Sequence, residues 1–340
     1  MTRDAYAEHF DGFADWCVGT SPLYERLARR IGDDADLLDL AAETPEGRSP
    51  AHLLLGAVHF LLLDGREHRL ADYYPTVTDD PLAPDESVDP ANPDGDAFSA
   101  FRDFCLSNTD EIRSLVTTRR TQTNSVRRCA ALYPAFEEVL RRATTDPSDG
   151  DRRPLALVEV GPSAGLNLLW DRYGYDYGDA GRCGDLDSPV RIESAVMNPL
   201  DVTDPDDARW LKALVWPEHD DRHRLLDAAV EVAHRNPPDL REGDALDLLP
   251  DVVAEIPADR PICLFNTQVR YQLDDGGRER FESLVAELAA DRELYSLSGD
   301  RSADEYDQGI ELTLRTPGTD GETERLGVYE QHGAWIAWDE

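Results

Sequence analysis

Lysine is almost absent from this 340-residue sequence: Lys212 is the single lysine, and the other basic residues are arginines. Aspartate and glutamate number 70 against 34 lysines and arginines, which gives a formal net charge of −36 at pH 7. The acidic residues are spread along the whole chain, whereas tight binding of nucleic acid needs clustered basic side chains. The composition therefore disfavours nucleic acid as a partner. It indicates adaptation to high salt, because molar salt screens charge repulsion beyond about 3 Å.

Cysteine is also scarce, and long apolar runs are missing. The five cysteines are widely separated and form no Cys-x-x-Cys pair, which argues against a disulfide framework and a zinc knuckle. The longest apolar run, 53–63, is shorter than the roughly 20 residues that span a bilayer. The amino terminus lacks the basic and apolar stretches of a signal peptide. We expect a cytoplasmic protein with no membrane segment, whose oligomeric state the sequence does not give.

The first 150 residues are predicted to form a helical domain, because apolar residues recur at intervals of three and four. Ser49 is placed as the N-cap of one helix, with Pro50 in its first turn. His52 and His59 share a face of this helix. They would need a third ligand to hold a metal, so packed histidines are the favoured interpretation and no metal is expected. Residues 75–97, rich in Pro, Asp and Asn, predict a long polar loop, more an insertion than a lid.

A second polar stretch, residues 144–154, marks the predicted domain boundary. After it, short apolar runs alternate with helical patterns, which predicts a mostly parallel sheet covered by helices on both faces. The predicted strands are 155–160, 190–196, 238–246, 261–267 and 294–298, followed by a hairpin formed by IELTLRT and RLGVYEQHGAWIAW. A parallel sheet that ends in an antiparallel hairpin is the outline of class I methyltransferases. We therefore predict a Rossmann-like α/β domain over 151–340.

The strongest motif is a glycine turn between the first predicted strand and a predicted helix. It reads Glu159-Val160-Gly161-Pro162-Ser163-Ala164-Gly165 and continues into GLNLLWDRY. Gly161 would allow the tight turn, Ser163 would let a ligand approach the backbone, and Gly165 would start a helix whose N–H groups face that ligand. The pattern resembles methyltransferase motif I, which implies that Glu159 lies near the methionine amino group of S-adenosylmethionine. Together with Asn167, these residues form the predicted cofactor site.

The same letters allow other interpretations. Gly-Pro-Ser-Ala-Gly also fits the nucleophile elbow of α/β-hydrolases, with Ser163, Asp244 and His332 in the chain order of a triad. That elbow normally follows several strands, and the sequence before residue 150 has no convincing strand. A further alternative is that the turn packs a helix on the sheet and does nothing else. The spacing of the glycines in this motif differs from the Gly-x-Gly-x-x-Gly pattern, which argues against a dinucleotide site.

Acidic residues farther along the chain are candidates for the rest of the cofactor. Asp244 in REGDAL resembles the methyltransferase acid that accepts a hydrogen bond from the adenine amino group, and it would also serve as a helix N-cap. For the ribose hydroxyls an acid is expected after the second strand. Glu193 and Asp201 are both open for that role, and the string NPLD favours Asp201.

Polar residues at three places are candidates for catalysis and substrate binding. Asn266 and Gln268 follow the fourth predicted strand and would orient a nucleophile, although they cannot act as strong bases. His332 would act as a general base, or would pack at the sheet edge. The predicted substrate-binding residues are Gln122, Asn124 and Arg127. Arg127 would suit a carboxylate, and the alternative for this segment is a solvated helix start.

Several long strings of the sequence resemble the domain-of-unknown-function family 2332. They are QTNSVRRCAALYPAF, LALVEVGPSAGLNLLWDRYGYDYG, NPLDVTDPDDARWLKALVWPEHDDRHRLL and HGAWIAW, and the resemblance covers about residues 10–338. The family carries no established activity, so its link to methyltransferases comes from the glycine motif. Members often have an aspartate shortly before the NPLD-like string, where this chain reads Ala195-Val196-Met197. The acidic, lysine-poor composition resembles proteomes of halophilic archaea.

The sequence therefore predicts a methyltransferase-like enzyme that uses S-adenosylmethionine and a small-molecule acceptor of unknown identity. A module that binds the nucleoside without chemistry is the first alternative, because no Asn-Pro-Pro-Tyr tetrad follows the fourth predicted strand. A serine hydrolase with Ser163 as nucleophile is the second alternative.

Overall fold

The computed structural model describes most of the chain: residues 2–86, 96–121, 124–143, 154–177, 182–183, 191–195, 204–270, 273–301, 309–319 and 321–339. The α-helices are α1 (Arg3–Cys17), α2 (Pro22–Gly32), α3 (Ala35–Ala41), α4 (Pro50–Leu63), α5 (Ala97–Ser107), α6 (Thr109–Thr118), α7 (Cys129–Ala143), α8 (Pro205–Ala213), α9 (Asp220–Arg235), α10 (Ala245–Glu255) and α11 (Asp275–Asp291). The strands are β1 (Ala156–Val160), β2 (Tyr175–Asp176), β3 (Arg182–Cys183), β4 (Arg191–Ala195), β5 (Ile262–Thr267), β6 (Leu294–Arg301), β7 (Gly309–Arg315), β8 (Thr323–Glu330) and β9 (Ile336–Trp338).

Internal contacts divide the chain into two compact units. The first comprises Met1–Thr123 with Asp204–Leu226, and the second comprises Asn124–Thr203 with Asp227–Glu340. The described part of the first unit contains helices α1 to α6 and α8 and no strand, which confirms the helical interpretation of the chain before residue 124. The second unit includes α7 together with all the strands of the described ranges. The predicted division at residue 150 follows chain order and stays a prediction.

Helix α4 is buried on nearly every side within the first unit. Ser49 accepts the N–H of His52 as N-cap and Pro50 lies in the first turn, as predicted. A Cβ added at Gly56 would lie 3.3 Å from the Leu214 side chain, so this glycine permits close packing against the end of α8. An apolar helix that is enclosed on all its faces belongs to a core. Among the described helices, none combines the length and apolar character needed to cross a membrane.

The two histidines of α4 are packed and hydrogen-bonded, as the favoured interpretation predicted. His59 Nδ1 donates to the Ala213 carbonyl at 3.1 Å, and its Nε2 accepts from the Thr76 hydroxyl at 2.7 Å. His52 Nδ1 lies 2.8 Å from Ser49 Oγ. Burial lowers the pKa of His59 to about 3 and that of His52 to about 4, so both rings are neutral at pH 7. Within the described ranges, no three acidic, histidine or cysteine side chains are grouped as metal ligands.

The second unit is built on a seven-stranded sheet with the order β4-β1-β5-β6-β7-β8-β9. The first four strands of this order are parallel, and β7, β8 and β9 add antiparallel pairs. This confirms the α/β prediction of a parallel sheet that ends in antiparallel strands. Because β4 lies on one side of β1 and β5 on the other, the strand order reverses at β1.

Alternating side chains of the parallel strands build an apolar core on each face of the sheet. Leu157 and Phe265 pack with α7 in one core, and Val158 and Leu264 pack with α10 and α11 in the other. We call these the α7 face and the α10–α11 face. Glu159 stands two residues after Leu157 and therefore lies on the α7 face. By the same alternation, Asn266 lies on the α10–α11 face.

The predicted carboxyl-terminal hairpin is a three-stranded antiparallel meander. The pattern RLGVYEQHGAWIAW was predicted as one strand, but it forms β8 and β9 with a turn at 331–335. The Glu330 carboxylate accepts the N–H groups of His332 at 2.9 Å and of Ala334 at 3.1 Å, and Gly333 has φ +82°. A side chain that captures backbone N–H groups removes them from a ladder, so the strand ends there.

Residues 238–246 contain no strand, and the prediction of a further parallel strand there was wrong. Pro237 and Pro238 have no N–H for a ladder. Asp244 accepts the N–H of Leu246 at 2.8 Å as the N-cap of α10. Ala245 and Leu246 therefore belong to the start of a helix, and Leu240 packs beside Gly165.

The helix predicted to follow the glycine turn is a short 3-10 helix, Leu166–Arg172, in which Leu169 departs from helical geometry. Tyr173 OH donates to the Leu166 carbonyl at 2.7 Å, and Tyr175 OH donates to the Trp170 carbonyl at 2.6 Å. These hydroxyls bond to carbonyls that a regular α-helix would pair with its own N–H groups. The turn therefore leads into a short 3-10 helix and not into the predicted α-helix.

Candidate functional site

Six of the predicted site residues lie at or just after the carboxyl ends of β1 and β5, beside the point where the strand order reverses: Glu159, Gly161, Ser163, Gly165, Asn266 and Gln268. In open α/β sheets, ligands bind in the crevice outside the carboxyl ends at such a switch point. Two further segments of the second unit lie here: residues 124–128 before α7, and the turn 331–335. Asn124 Nδ2 donates to the Pro162 carbonyl at 2.7 Å, and Ser125 Oγ donates to the His332 carbonyl at 3.2 Å. These bonds fix both segments beside the glycine turn.

The glycine turn has three residues with left-handed backbone. Gly161 and Gly165 have φ +70°, and Ser163 has φ +57° although it carries a side chain. A Cβ on Gly161 would lie 2.7 Å from Val269 Cγ2, and one on Gly165 would lie 2.8 Å from Leu240 Cδ2. Both glycines are therefore needed for the turn and for the packing of neighbouring loops.

Glu159 is the most unusual group at this edge. It is 1% exposed, and its Oε1 accepts a hydrogen bond from Asn167 Nδ2 at 3.3 Å. Its Oε2 is buried and has no hydrogen-bond partner among the residues that the structure describes. Burial raises the pKa of the Glu159 carboxyl to about 8, against the weaker effects of Asn167 and Arg128. Glu159 is therefore mostly protonated at pH 7 and has an unused hydrogen-bonding oxygen.

Asn167 positions Glu159 from the 3-10 helix. The Cys129 thiol donates to Asn167 Oδ1 at 3.5 Å, so the amide is held from both sides. Burial raises the pKa of the Cys129 thiol well above its usual value, which keeps it a neutral donor. Asn167 was predicted to contact the cofactor directly. The structure gives it a role in orienting Glu159.

Arg128 lies in the segment before α7 and is 6% exposed. Its Nε donates to the Gln331 carbonyl at 2.9 Å, and Gln268 Nε2 donates to the same oxygen at 2.9 Å. Gln268 itself has φ +56°, and its N–H donates to the Gly299 carbonyl at 2.7 Å. Gln268 is thereby placed between β6 and the carboxyl-terminal turn.

Tyr329 brings a further polar group to the α7 face. It is fully buried, and its hydroxyl has no partner among the described residues. A Cβ added at Gly299 would lie 2.5 Å from that hydroxyl, which places it beside the carboxyl end of β6. Arg128 lies close enough to oppose the rise that burial causes in the pKa of the Tyr329 hydroxyl.

Asn266 belongs to a separate polar group on the α10–α11 face. It is 1% exposed, and Ser298 Oγ lies 3.2 Å from its Oδ1 and 2.8 Å from Asp300 Oδ2. Arg270 Nη1 lies 3.5 Å from the same Asp300 oxygen. Asn266 Nδ2 has no partner in the described ranges. The structure thus places Asn266 and Glu159 on opposite faces of the sheet.

The other predicted site residues fall into three groups. Asp244 is exposed and caps α10, and the backbone of Glu193 pairs with Val158 across β4 and β1. Arg127 is half-buried beside the turn, and a Cβ on Gly333 would clash with its carbonyl oxygen. Asp201 and Gln122 lie outside the described residues.

Sequence reasoning missed Arg128 and Tyr329. Arg128 is adjacent to the predicted Arg127, and the two arginines are distinguished only by their burial, which the sequence does not show. Tyr329 reads as an ordinary aromatic residue of a strand. No local spacing marks either side chain, because Arg128 is held by the distant Gln331 carbonyl and the Tyr329 hydroxyl lies beside the distant Gly299.

Residues 7–338 match a family described as uncharacterized proteins conserved in bacteria, DUF2332. The chain belongs to this family. The match covers nearly the whole sequence and confirms the family resemblance. No curated protein matches the sequence significantly. The function of this DUF2332 member is therefore argued from its site.

Proposed function

We propose that this protein binds S-adenosylmethionine at the carboxyl ends of β1 and β5 and methylates a small-molecule acceptor. The observation that carries the proposal is the unpartnered Oε2 of Glu159, buried at the end of the strand where the sheet order reverses. A buried polar atom without a partner costs about 1–3 kcal/mol, so a ligand that supplies the missing donor gains that amount. The ammonium group of the cofactor's methionine part is such a donor, and we expect Glu159 to lose its proton when that group binds, because a nearby positive charge favours the ionised carboxylate.

The glycine turn favours this ligand over a dinucleotide. A pyrophosphate is normally held by the N–H groups at the start of a helix. Here the turn leads into a seven-residue 3-10 helix whose carbonyls bond to Tyr173 and Tyr175. A ligand with an amino group, and no pyrophosphate, suits the acid and amide groups that are present. Asn124 adds a second buried acceptor, since its Oδ1 has no partner among the described residues.

The residues of the chain would act mainly by binding and orientation. S-adenosylmethionine would supply an activated methyl group, and such a transfer depends on proximity and alignment of the acceptor. Gln268 carries an amide that would orient a nucleophile without removing its proton, whereas Asn266, on the opposite face of the sheet from Glu159, would contribute only through the strand end that it shares with Gln268. Asp244 remains our candidate for adenine, and Asp201 or Glu193 for ribose. Substrate contacts from Asn124 and Arg127, and acid–base chemistry by His332, remain part of the proposal.

Calorimetric titration in molar salt tests the proposal directly. We expect S-adenosylmethionine and S-adenosylhomocysteine to bind, and Glu159→Gln to weaken both by about tenfold while leaving 5′-methylthioadenosine unaffected, because that compound lacks the amino-acid part. If neither compound binds, the proposal is overturned. Binding without methyl transfer to any acceptor in a metabolite panel would favour a non-catalytic module.

A serine hydrolase is the second candidate, and the backbone of Ser163 favours it. The φ of +57° at Ser163 is unusual for a residue with a side chain, and nucleophile elbows hold their serine in a strained turn of this kind. The proposed triad partner Asp244 is exposed and caps α10, which weighs against it. A fluorophosphonate probe tests this candidate. Labelling of the wild-type protein that is lost in Ser163→Ala would establish a serine hydrolase, and absence of labelling in the wild-type protein would exclude one.

A further inference from the structure

Arg128 is a buried cation with most of its donors unused. A guanidinium carries five N–H donors, and among the described residues Nε alone has a partner, the Gln331 carbonyl. Over the ranges that the structure describes, Nη1 and Nη2 make no hydrogen bond, and no carboxylate lies within 4.0 Å. Nη1 and Nη2 are not among the fully buried polar atoms and keep some contact with solvent. A nearly enclosed cation without an acidic partner among the described residues can pair with an anion that is not part of the chain.

Arg128 is linked to Glu159 through its neighbour in the chain. The Cys129 thiol donates to Asn167 Oδ1 at 3.5 Å, and Asn167 Nδ2 donates to Glu159 Oε1 at 3.3 Å. Arg128 also opposes the rise that burial causes in the pKa of the Glu159 carboxyl. The edge of the sheet therefore presents an unpaired cation close to an acid with one free oxygen. Those two groups complement a ligand that carries an anion and an amine together.

We propose that Arg128 binds the α-carboxylate of the ligand whose amino group bonds to Glu159, so that the site selects a free amino-acid end. This inference rests on the proposed function and names the residue that recognises one part of that ligand. A guanidinium forms two parallel hydrogen bonds with a carboxylate, which gives both strength and orientation. Lysine cannot reproduce that fork.

The surroundings hold Arg128 in place before a ligand arrives. Its Nε bond to Gln331 fixes the plane of the guanidinium, and Gln268 binds the same carbonyl. The turn is joined to the arginine's own segment by the Ser125 to His332 bond and by close packing at Gly333, which has no room for a side chain. A donor that is already oriented loses less freedom on binding.

Comparison of S-adenosylmethionine with decarboxylated S-adenosylmethionine isolates the carboxylate, because the two ligands share every other group. For the wild-type protein in molar salt, we expect calorimetry to give a 10- to 100-fold preference for the carboxylated ligand, of the order expected for a charge-assisted pair. Arg128→Met should remove that preference, and Arg128→Lys should leave a smaller one. Arg142→Met is the matched control, because Arg142 lies at the other end of α7 and pairs with Glu138 and Glu324.

The outcomes separate this inference from the proposed function. If wild-type protein binds neither ligand, the proposed function fails and the carboxylate assignment fails with it. If both bind equally well, or if Arg128→Met weakens both by the same factor, the assignment fails while the function stands. Circular dichroism of each variant shows whether it is folded, and Arg128→Lys keeps the test decisive if Arg128→Met unfolds. A preference that survives in both Arg128 variants would also overturn the inference.

Discussion

Glu218 in the first unit is half-buried and Glu159 in the second is fully buried, and the two acids differ in how their oxygens are used. Glu218 Oε2 accepts from Ser21 Oγ at 2.6 Å, and its Oε1 accepts from the Leu23 N–H at 2.8 Å. Glu159 receives one longer bond, from Asn167, and its second oxygen receives none from the described residues. Glu218 completes the amino terminus of α2, whereas Glu159 leaves a bond unmade at the edge of a sheet.

This difference separates a structural carboxylate from a ligand-binding one. The first unit gains stability from Glu218 because orphan N–H groups at a helix start need acceptors. The second unit loses stability through Glu159, because an acid is buried there without full compensation. Glu159 destabilises the free protein and lies where the strand order reverses. We therefore expect it to bind a ligand, because groups with strongly shifted pKa values cluster at functional sites.

The largest expected effect comes from Glu159→Gln. The pKa of Glu159 rises from its ordinary 4.5 to about 8 in the folded protein, so the folded state binds the proton more tightly. Wild-type stability therefore falls as pH rises from about 4.5 to 8. The substituted glutamine keeps an acceptor for Asn167 and cannot ionise, so the variant should be more stable above pH 8 by at most about 5 kcal/mol and equal to wild type near pH 4. Urea unfolding across this pH range measures the difference.

Glu138→Gln is the matched control with the opposite sign. Hydrogen bonds from Arg141 and Arg142 lower the pKa of Glu138 to about 2. Its contribution to stability is therefore present above pH 4.5 and is lost as pH falls toward 2. This variant should be less stable than wild type at pH 7. An identical pH profile for the two variants would contradict our account of Glu159.

Glu218→Ala should give the next largest effect, a loss of about 2–3 kcal/mol. The substitution removes the acceptor of two charge-assisted hydrogen bonds at the start of α2, to Ser21 and Leu23. Glu218→Gln retains one acceptor oxygen and should lose about half as much. Urea unfolding at pH 7 measures both variants. Unchanged stability in Glu218→Ala would remove the contrast with Glu159.

Asp244→Ala should cost about 1 kcal/mol of stability, because it removes the N-cap of α10. Asp274→Ala is its matched control, since Asp274 caps α11 by accepting the Gly277 N–H at 2.7 Å. Both variants should lose similar stability in thermal unfolding. Only Asp244→Ala should also weaken S-adenosylhomocysteine, as expected for an adenine contact. Equal ligand affinity in the two variants would leave Asp244 as a cap alone.

The fold could be predicted where periodic patterns are long and ends are marked. Ser49 and Pro50 located α4, and the apolar runs located β1 and β5, because burial repeats along one element. The pattern at 238–246 was misassigned because an apolar run next to an aspartate fits a strand end and a helix cap equally well. The break at Glu330 was missed because its cause is a side chain that folds back on the next four residues.

The candidate site could be predicted only in part, for a similar reason. The glycine turn and Glu159 were located from a local motif. The position of Arg128 depends on the Gln331 carbonyl, about 200 residues away in the sequence. Asn266 was grouped with Gln268 from the strand end, but alternation along β5 directs it to the other face. Local spacing carries no information about such pairings.

The smallest expected effect separates two buried tyrosines. Tyr329 OH has no partner in the described ranges, whereas Tyr175 OH donates to the Trp170 carbonyl at 2.6 Å. Tyr329→Phe should raise the free energy of unfolding by up to about 1 kcal/mol, because it removes a buried hydroxyl that makes no bond with the described residues. Tyr175→Phe should lose about 1 kcal/mol. If Tyr329→Phe costs as much as Tyr175→Phe, its hydroxyl is bonded in solution. The α7 face would then have one unused polar group fewer. Glu159 and Arg128 alone would differ from Glu218, whose oxygens both have partners.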